Sequence, residues 1–289
     1  MTAYLLALGS ALLYGAADFT GGLTTRRAGV IAVVVVSQAS GLALVVLALP
    51  LLWPQIPAGS DLFWGAAAGL AGGLGVALLY RALAIGVMAV VAPTTAVCAV
   101  TIPVVFAILM GERPLPLAVA GILLGVASIV LVSRQNAGAD PAGGELAPGH
   151  SRSTGVGTAL VSGVAIGFFF LALAQTRREA GVWPLIASRS FSVCLFGVIA
   201  AVGRHSLRMS RQALMLALVC GAMDMLANAL YLLAAQEGPL SLVVTLSSLY
   251  PASTVLLARV ILGERLNGWQ VTGVGCALAA VVMIVSGGS

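Results

Sequence analysis

Three ionisable residues fall deep inside apolar stretches of this chain: Asp18, Arg189 and Asp224. A charge at the centre of a bilayer costs about 2.5–3.5 kcal/mol on insertion scales, so each needs a partner, a water-filled cavity or a role in moving a solute. The spacing i, i+4, i+7 sets Asp224, Asn228 and Tyr231 on one helix face. Tyr14 and Asp18 share a face by the same rule. Thr94, Cys98 and Thr101 make a second polar stripe, and Ser247, Tyr250, Pro251 and Thr254 a third. The chemistry open to such groups is non-covalent. Arg189 can pair with Asp18 or Asp224, or hold a cargo carboxylate. A buried carboxylate left without a cation favours its protonated form and can carry a coupling proton. Hydroxyl stripes, including Thr95 and Ser247, can line a cavity or stitch helices together. Tyr14, Tyr80, Tyr231 and Tyr250, with Phe168 and Phe169, can stack on cargo or serve packing alone.

Proline adds backbone acceptors to this inventory. Pro251 lacks an N–H and clashes with the carbonyl four residues back, on Ser247, which frees that carbonyl for a ligand or a side chain. Pro93 and Pro103 do the same to Ala89 and Ala99. Kinked helices near the midplane are a recurrent device of transporter sites.

Catalytic constellations are absent from the sequence. His150 and His205 lie in predicted loops, and there is no H-E-x-x-H, G-x-S-x-G or P-loop. Asp18 and Asp224 sit in no G-x-G-D context, so an aspartyl-protease reading fails. Cys98, Cys194, Cys220 and Cys276 are scattered, with no C-x-x-C, and read as small packing residues. No enzyme, cofactor or metal site is expected.

The elements that hold these groups follow from composition. Of 289 residues 60% are hydrophobic and 8% charged. Soluble domains carry about 25% charged residues, which excludes that class. The apolar content also excludes disorder. A spanning helix needs about 20 apolar residues. Ten such segments can be cut, at 3–22, 30–52, 62–83, 88–110, 115–133, 155–175, 183–203, 213–235, 240–262 and 268–287. The first lacks the basic leader of a cleaved signal and reads as a span. No run alternates with period two, which disfavours a membrane β-barrel. The expected fold is an all-α polytopic membrane protein.

One gapless shift of 152 residues brings the chain onto itself. Thr24, Arg26 and Ala28-Gly29-Val30 fall on Thr176, Arg178 and Ala180-Gly181-Val182. Gly69 falls on Gly221, and Gly86 on Gly238. Gly111-Glu112-Arg113 falls on Gly263-Glu264-Arg265. Residues 1–137 and 154–289 thus form two five-span repeats joined by a Gly/Pro-rich linker at 138–153. Five is odd, so the second repeat enters the membrane inverted, an arrangement suited to alternating access. Neither aspartate has a mate: Asp18 falls on Phe170 and Asp224 on Gly72, so the halves contribute different chemistry. The expected cargo site lies at mid-membrane between spans one, three, four, seven, eight and nine. Its candidate residues are Tyr14, Asp18, Tyr80, Thr95, Cys98, Arg189, Asp224, Asn228, Tyr231, Ser247, Tyr250 and Pro251.

Glu112 and Glu264 occupy short turns ahead of the fifth and tenth spans, where a carboxylate can cap a helix N-terminus. All fourteen basic residues are Arg. Loops after odd-numbered spans hold Arg26, Arg27, Arg134, Arg152, Arg204, Arg208, Arg211 and Arg265; loops after even-numbered spans hold Arg113, Arg177 and Arg178. The positive-inside rule then sets the odd loops in the cytoplasm and the termini outside. The net charge of +5 serves topology; the arginines form no nucleic-acid patch.

Two five-helix repeats, each with a G-E-R turn between its fourth and fifth spans, resemble the EamA-domain family of the drug/metabolite transporter superfamily. Pro251, thirteen residues before Glu264, belongs to that likeness; its first-half equivalent is Ala99, with Pro103 nearby instead. The resemblance covers nearly the whole chain. It implies a small-metabolite carrier of the bacterial inner membrane with a central cavity between repeats. Amino-acid exporters, including those for aromatic amino acids, are members. It also implies cytoplasmic termini, against the arginine bias. The expected partners are the bilayer and a small-molecule cargo; a monomer suffices and a dimer is compatible. A multidrug or other metabolite carrier, and a passive channel, stand as alternatives.

Overall fold

The structure, a computed structural model, describes residues 2–52, 57–111, 115–133, 154–237, 243, 246–264, 266 and 268–287. Apolar runs in lipid leave backbone groups no water to bond, so they must satisfy one another within helices. Ten α-helices result among the described residues, with no strand: α1 Thr2–Thr25, α2 Val30–Leu52, α3 Gly59–Ile85, α4 Met88–Leu109, α5 Pro116–Ser133, α6 Thr154–Ala174, α7 Trp183–Val202, α8 Arg211–Glu237, α9 Tyr250–Leu262 and α10 Gly268–Gly287. A short 3₁₀ turn at Arg178–Ala180 precedes α7. Seven helices are long and apolar enough to cross a membrane; α4, α5 and α9 contribute the shorter apolar stretches Met88–Pro103, Pro116–Ser128 and Tyr250–Leu262. The chain is a multi-pass membrane protein. The expected linker at 138–153 lies outside the described residues.

Local chemistry sets the helix ends. Asp61, in the first turn of α3, accepts from Ala58 N–H at 3.0 Å. Pro251 stands at the start of α9, directly after a turn at 248–249. There its missing N–H costs nothing. The expected disruption of the ninth span by Pro251 is therefore a break. Pro93 and Pro103, by contrast, lie within a continuous α4.

Helices α3 and α6 pack along each other, as do α1 and α8, α5 and α10, α4 and α6, and α1 and α9. Helix α2 packs against both α7 and α8, while α3 also packs against α7. Small residues permit the closest crossings. A Cβ on Gly221 of α8 would stand 1.9 Å from the Ser37 carbonyl oxygen of α2. One on Gly69 of α3 would stand 2.4 Å from that of Ser188 on α7.

Hydroxyls stitch the crossings, and two stitches occur twice. Ser10 donates to Ala227 O at 2.9 Å, joining α1 to α8. The residues 152 further on and back, Ser162 and Gly75, make the same bond between α6 and α3 at 2.8 Å. Thr95 donates to Ala159 O at 3.2 Å, joining α4 to α6. Its mate Ser247 donates to Ala7 O at 3.4 Å, and Ala7 is the mate of Ala159.

Candidate functional site

Helix α2 lies beside both α7 and α8 and delivers a polar pair, Ser37 and Gln38, that its apolar surroundings leave buried. Arg189 of α7 donates through Nη1 to Gln38 Oε1 and through Nη2 to Asp224 Oδ2 of α8. Arg189 and Asp224 are both mostly buried, so the pair sits where charge is expensive unless paired. Around them is a narrow cleft of about 10 Å³, room for about one water, lined by Ser37, Gln38, Val76, Tyr80, Arg189, Gly221 and Asp224. The absent side chain at Gly221 is what lets α2 approach α8 closely enough to bring Gln38 to the pair.

Of the residues expected to surround cargo, the pocket brings together Tyr80, Arg189 and Asp224. Asn228 is half-buried one turn along α8 and donates to the Asp224 carbonyl at 2.8 Å. Tyr14, half-buried, lies within electrostatic reach of Asp224, Arg189, Tyr231 and Asp18. Its ring meets that of Tyr250 edge-on, with centroids 6.2 Å apart. Asp18 is half-buried and makes no ion pair among the described residues.

The remaining candidates lie apart from the pocket. Thr95 and Ser247 are spent on the stitches described above, and Thr254 donates to Gly15 O at 3.1 Å. Cys98 is pressed against α6, where a Cβ on Gly163 would lie 2.4 Å from its own Cβ. Tyr231 packs against the cluster of Ala7, Ala234 and Val243. Tyr250 packs against Ala96, Val97 and Ala277, and Pro251 is buried. Tyr80 itself is tied down: Cys220 Sγ donates to Ala17 O at 3.2 Å and lies 3.1 Å from the Tyr80 hydroxyl.

Three features were not anticipated. Gln38, the partner shared with Arg189, is one; a lone amide inside the apolar run 30–52 was its available signal. The second is a salt bridge near the membrane surface. Arg177 Nη2 lies 2.8 Å from Asp61 Oδ2, and Arg177 N–H donates to Oδ1 at 3.1 Å. Hydrogen bonding to this carboxylate raises the Arg177 guanidinium above its usual value. The third concerns Glu264. It does cap a helix, but that of α4 rather than the span following it in sequence, accepting from Met88 N–H and Ala89 N–H at 3.0 Å each. Glu112 lies outside the described residues. Among the described residues no three His, Cys, Asp or Glu side chains are placed to hold a metal.

These features are those of an integral membrane protein with a paired charge at mid-span. Residues 153–286 match the EamA-like transporter family, consistent with the drug/metabolite transporter superfamily. That family suggests a membrane transporter of this type. A solved structure described as "Crystal structure of protein" is similar over 97% of this chain and 95% of its own, with a TM-score of 0.61 and 18% identity. At that identity the likeness shows the fold alone. No curated protein matches the chain.

Proposed function

We propose that the protein is an alternating-access exporter of small amphipathic metabolites in the bacterial inner membrane, with amino acids, aromatic ones first, as its lead cargo. The observation that carries this reading is the mostly buried Arg189–Asp224 pair, with Gln38 beside it, where α2, α7 and α8 meet. A charged pair buried between helices of a membrane protein is the arrangement expected of a solute pathway. Arg189 offers a fork for a cargo carboxylate once Asp224 yields it. Asp18, without an ion-pair partner among the described residues, offers a counter-charge for an ammonium group or a coupling proton. Tyr14, within electrostatic reach of Asp18 and of the pair, offers an aromatic ring beside it.

The inverted repeat completes the reading. The 152-residue shift that aligns the sequence also exchanges Ser10–Ala227 with Gly75–Ser162, and Thr95–Ala159 with Ala7–Ser247. It likewise exchanges the packed pair α3–α6 with α1–α8 and returns α5–α10 and α2–α7 to themselves. These exchanges support two halves related by a pseudo-two-fold axis in the membrane plane. Such halves can trade which face is open.

The test is uptake of labelled amino acids and of unrelated drugs into proteoliposomes, with a counterflow arm. Saturable flux with counterflow, strongest for aromatic amino acids, is the expected result. Flux that never saturates and shows no counterflow would point to a channel. Saturable flux for drugs alone would leave the carrier and replace the cargo.

A further inference from the structure

The start of α4 is held by the other half of the protein. A helix N-terminus leaves its first N–H groups without intrahelical acceptors. At α4 these include Met88 and Ala89, and the carboxylate of Glu264 takes one with each oxygen, at 3.0 Å. Glu264 can reach them because Gly263 ends α9 in the left-handed region, φ 64°, and turns the chain away from the helix axis. Arg26, at the end of α1, joins the same junction. It donates to Leu83 O at 3.2 Å and Gly86 O at 3.4 Å, and stands 3.8 Å from Glu264 Oε1.

The packing gives these contacts their meaning. Helix α1 packs with α8 and α9, and α3 and α4 pack with α6, while the α1–α3 and α4–α9 crossings form the seam between the two groups. Glu264 and Arg26 therefore tie one group of helices to the other. Beneath them both groups contribute to one buried apolar cluster, which includes Leu83, Met88 and Ala258. The Asp61–Arg177 bridge differs in kind: it joins α3 to the end of α6, inside one group, at the opposite membrane face.

We infer that Glu264 is a releasable latch: it keeps closed the membrane face that carries Arg26, and the transport cycle opens that face by freeing the α4 N-terminus from its carboxylate. This rests on the carrier reading above. A charge-assisted contact suits a latch. It is strong while dry and sealed, yet water entering the gap can replace it at both ends. The bond between Tyr80 and Cys220 crosses the same seam, from α3 to α8, so the buried Cys220 thiol reports its opening.

The experiment uses the full chain in sealed vesicles, with Cys98, Cys194 and Cys276 replaced by Ser so that Cys220 is the sole thiol. A charged, membrane-impermeant methanethiosulfonate is applied at the Arg26 face; a separate Cys220→Ser, Arg27→Cys chain fixes sidedness. Losing a hydrogen bond to a charged group should shift the closed-to-open ratio by about tenfold or more. Cys220 labelling should rise by that factor in Glu264→Gln and in Arg26→Gln, and stay at the parent rate in Asp61→Asn. Parent-like rates in both latch variants would overturn the inference. An equal rise in Asp61→Asn would overturn it too, since that means general loosening. Should Glu264→Gln fail to elute as folded protein, Arg26→Gln decides. Labelling needs no cargo. An inert protein whose latch opens therefore refutes the carrier reading, and an active carrier indifferent to Glu264→Gln refutes the latch.

Discussion

Arg189 on α7 is ion-paired with Asp224 on α8, and α2, packed against both helices, adds Gln38 to the same guanidinium. Asp224→Asn therefore leaves a mostly buried cation without its counter-charge. Breaking a fully buried pair from one side costs about 3–5 kcal/mol; with this pair partly open, about 2 kcal/mol is expected. Thermal unfolding in detergent measures it. The double variant Arg189→Gln, Asp224→Asn should recover part of the loss, because no lone charge remains. A single variant as stable as the parent would mean that the pair is solvated. If Asp224 instead carries a coupling proton, Asp224→Asn should keep exchange and lose pH-gradient-driven accumulation.

Asn228 has no such structural burden. Its amide donates to the Asp224 carbonyl of its own helix, a bond the helix can do without. Asn228→Ala should leave unfolding within about 0.5 kcal/mol of the parent, the usual range for positions away from critical packing. It should still lower cargo flux in proteoliposomes several-fold, since the half-buried amide sits one turn from the charged pair. Full flux would remove Asn228 from the pathway.

These two residues mark how far the sequence could be read. Helix number came from the lengths of the apolar runs and polar faces from local periodicity, and the Arg189–Asp224 pairing was among the options the cost of charge allowed. Gln38 was not foreseen, because nothing local says that α2 lies between α7 and α8. The Asp61–Arg177 bridge joins residues 116 positions apart and needed the α3–α6 crossing to be known. Glu264 was legible as a cap, but its helix was not, since the turn at Gly263 aims it across the junction. Thr95 and Ser247 were legible as mates. Whether their hydroxyls faced a cavity or a backbone depended on rotations of about one residue's worth of helix, which periodicity does not resolve.

The mated stitches should behave alike. Thr95→Val and Ser247→Ala each remove a hydroxyl from a neighbouring helix's carbonyl while keeping much of the local shape. Each should cost about 1 kcal/mol of stability, the usual net value of one hydrogen bond. Neither should change substrate preference, because neither side chain lines the pocket. A preference shift without a stability loss, measured by competition among labelled amino acids, would return these hydroxyls to the cargo site.

The sharpest packing test is at the α2–α8 crossing. Gly221→Ala would set a Cβ 1.9 Å from the Ser37 carbonyl oxygen, a backbone atom that no rotamer change can move aside. The two helices must separate, and α2 must carry Gln38 away from Arg189. Overpacking usually costs 1–3 kcal/mol; here about 3 kcal/mol or more is expected, because both sides of the clash are helix backbone or bonded to it. Gly197→Ala is the matched control. It lies within α7, and its new Cβ would meet nothing within 4 Å. With no clash to offset it, the better helix former should stabilise by about 0.5–1 kcal/mol. Thermal unfolding in detergent should thus move in opposite directions for two identical substitutions. Equal shifts would mean that the α2–α8 crossing is looser than the structure places it, and the route by which Gln38 reaches the charged pair would fall with it.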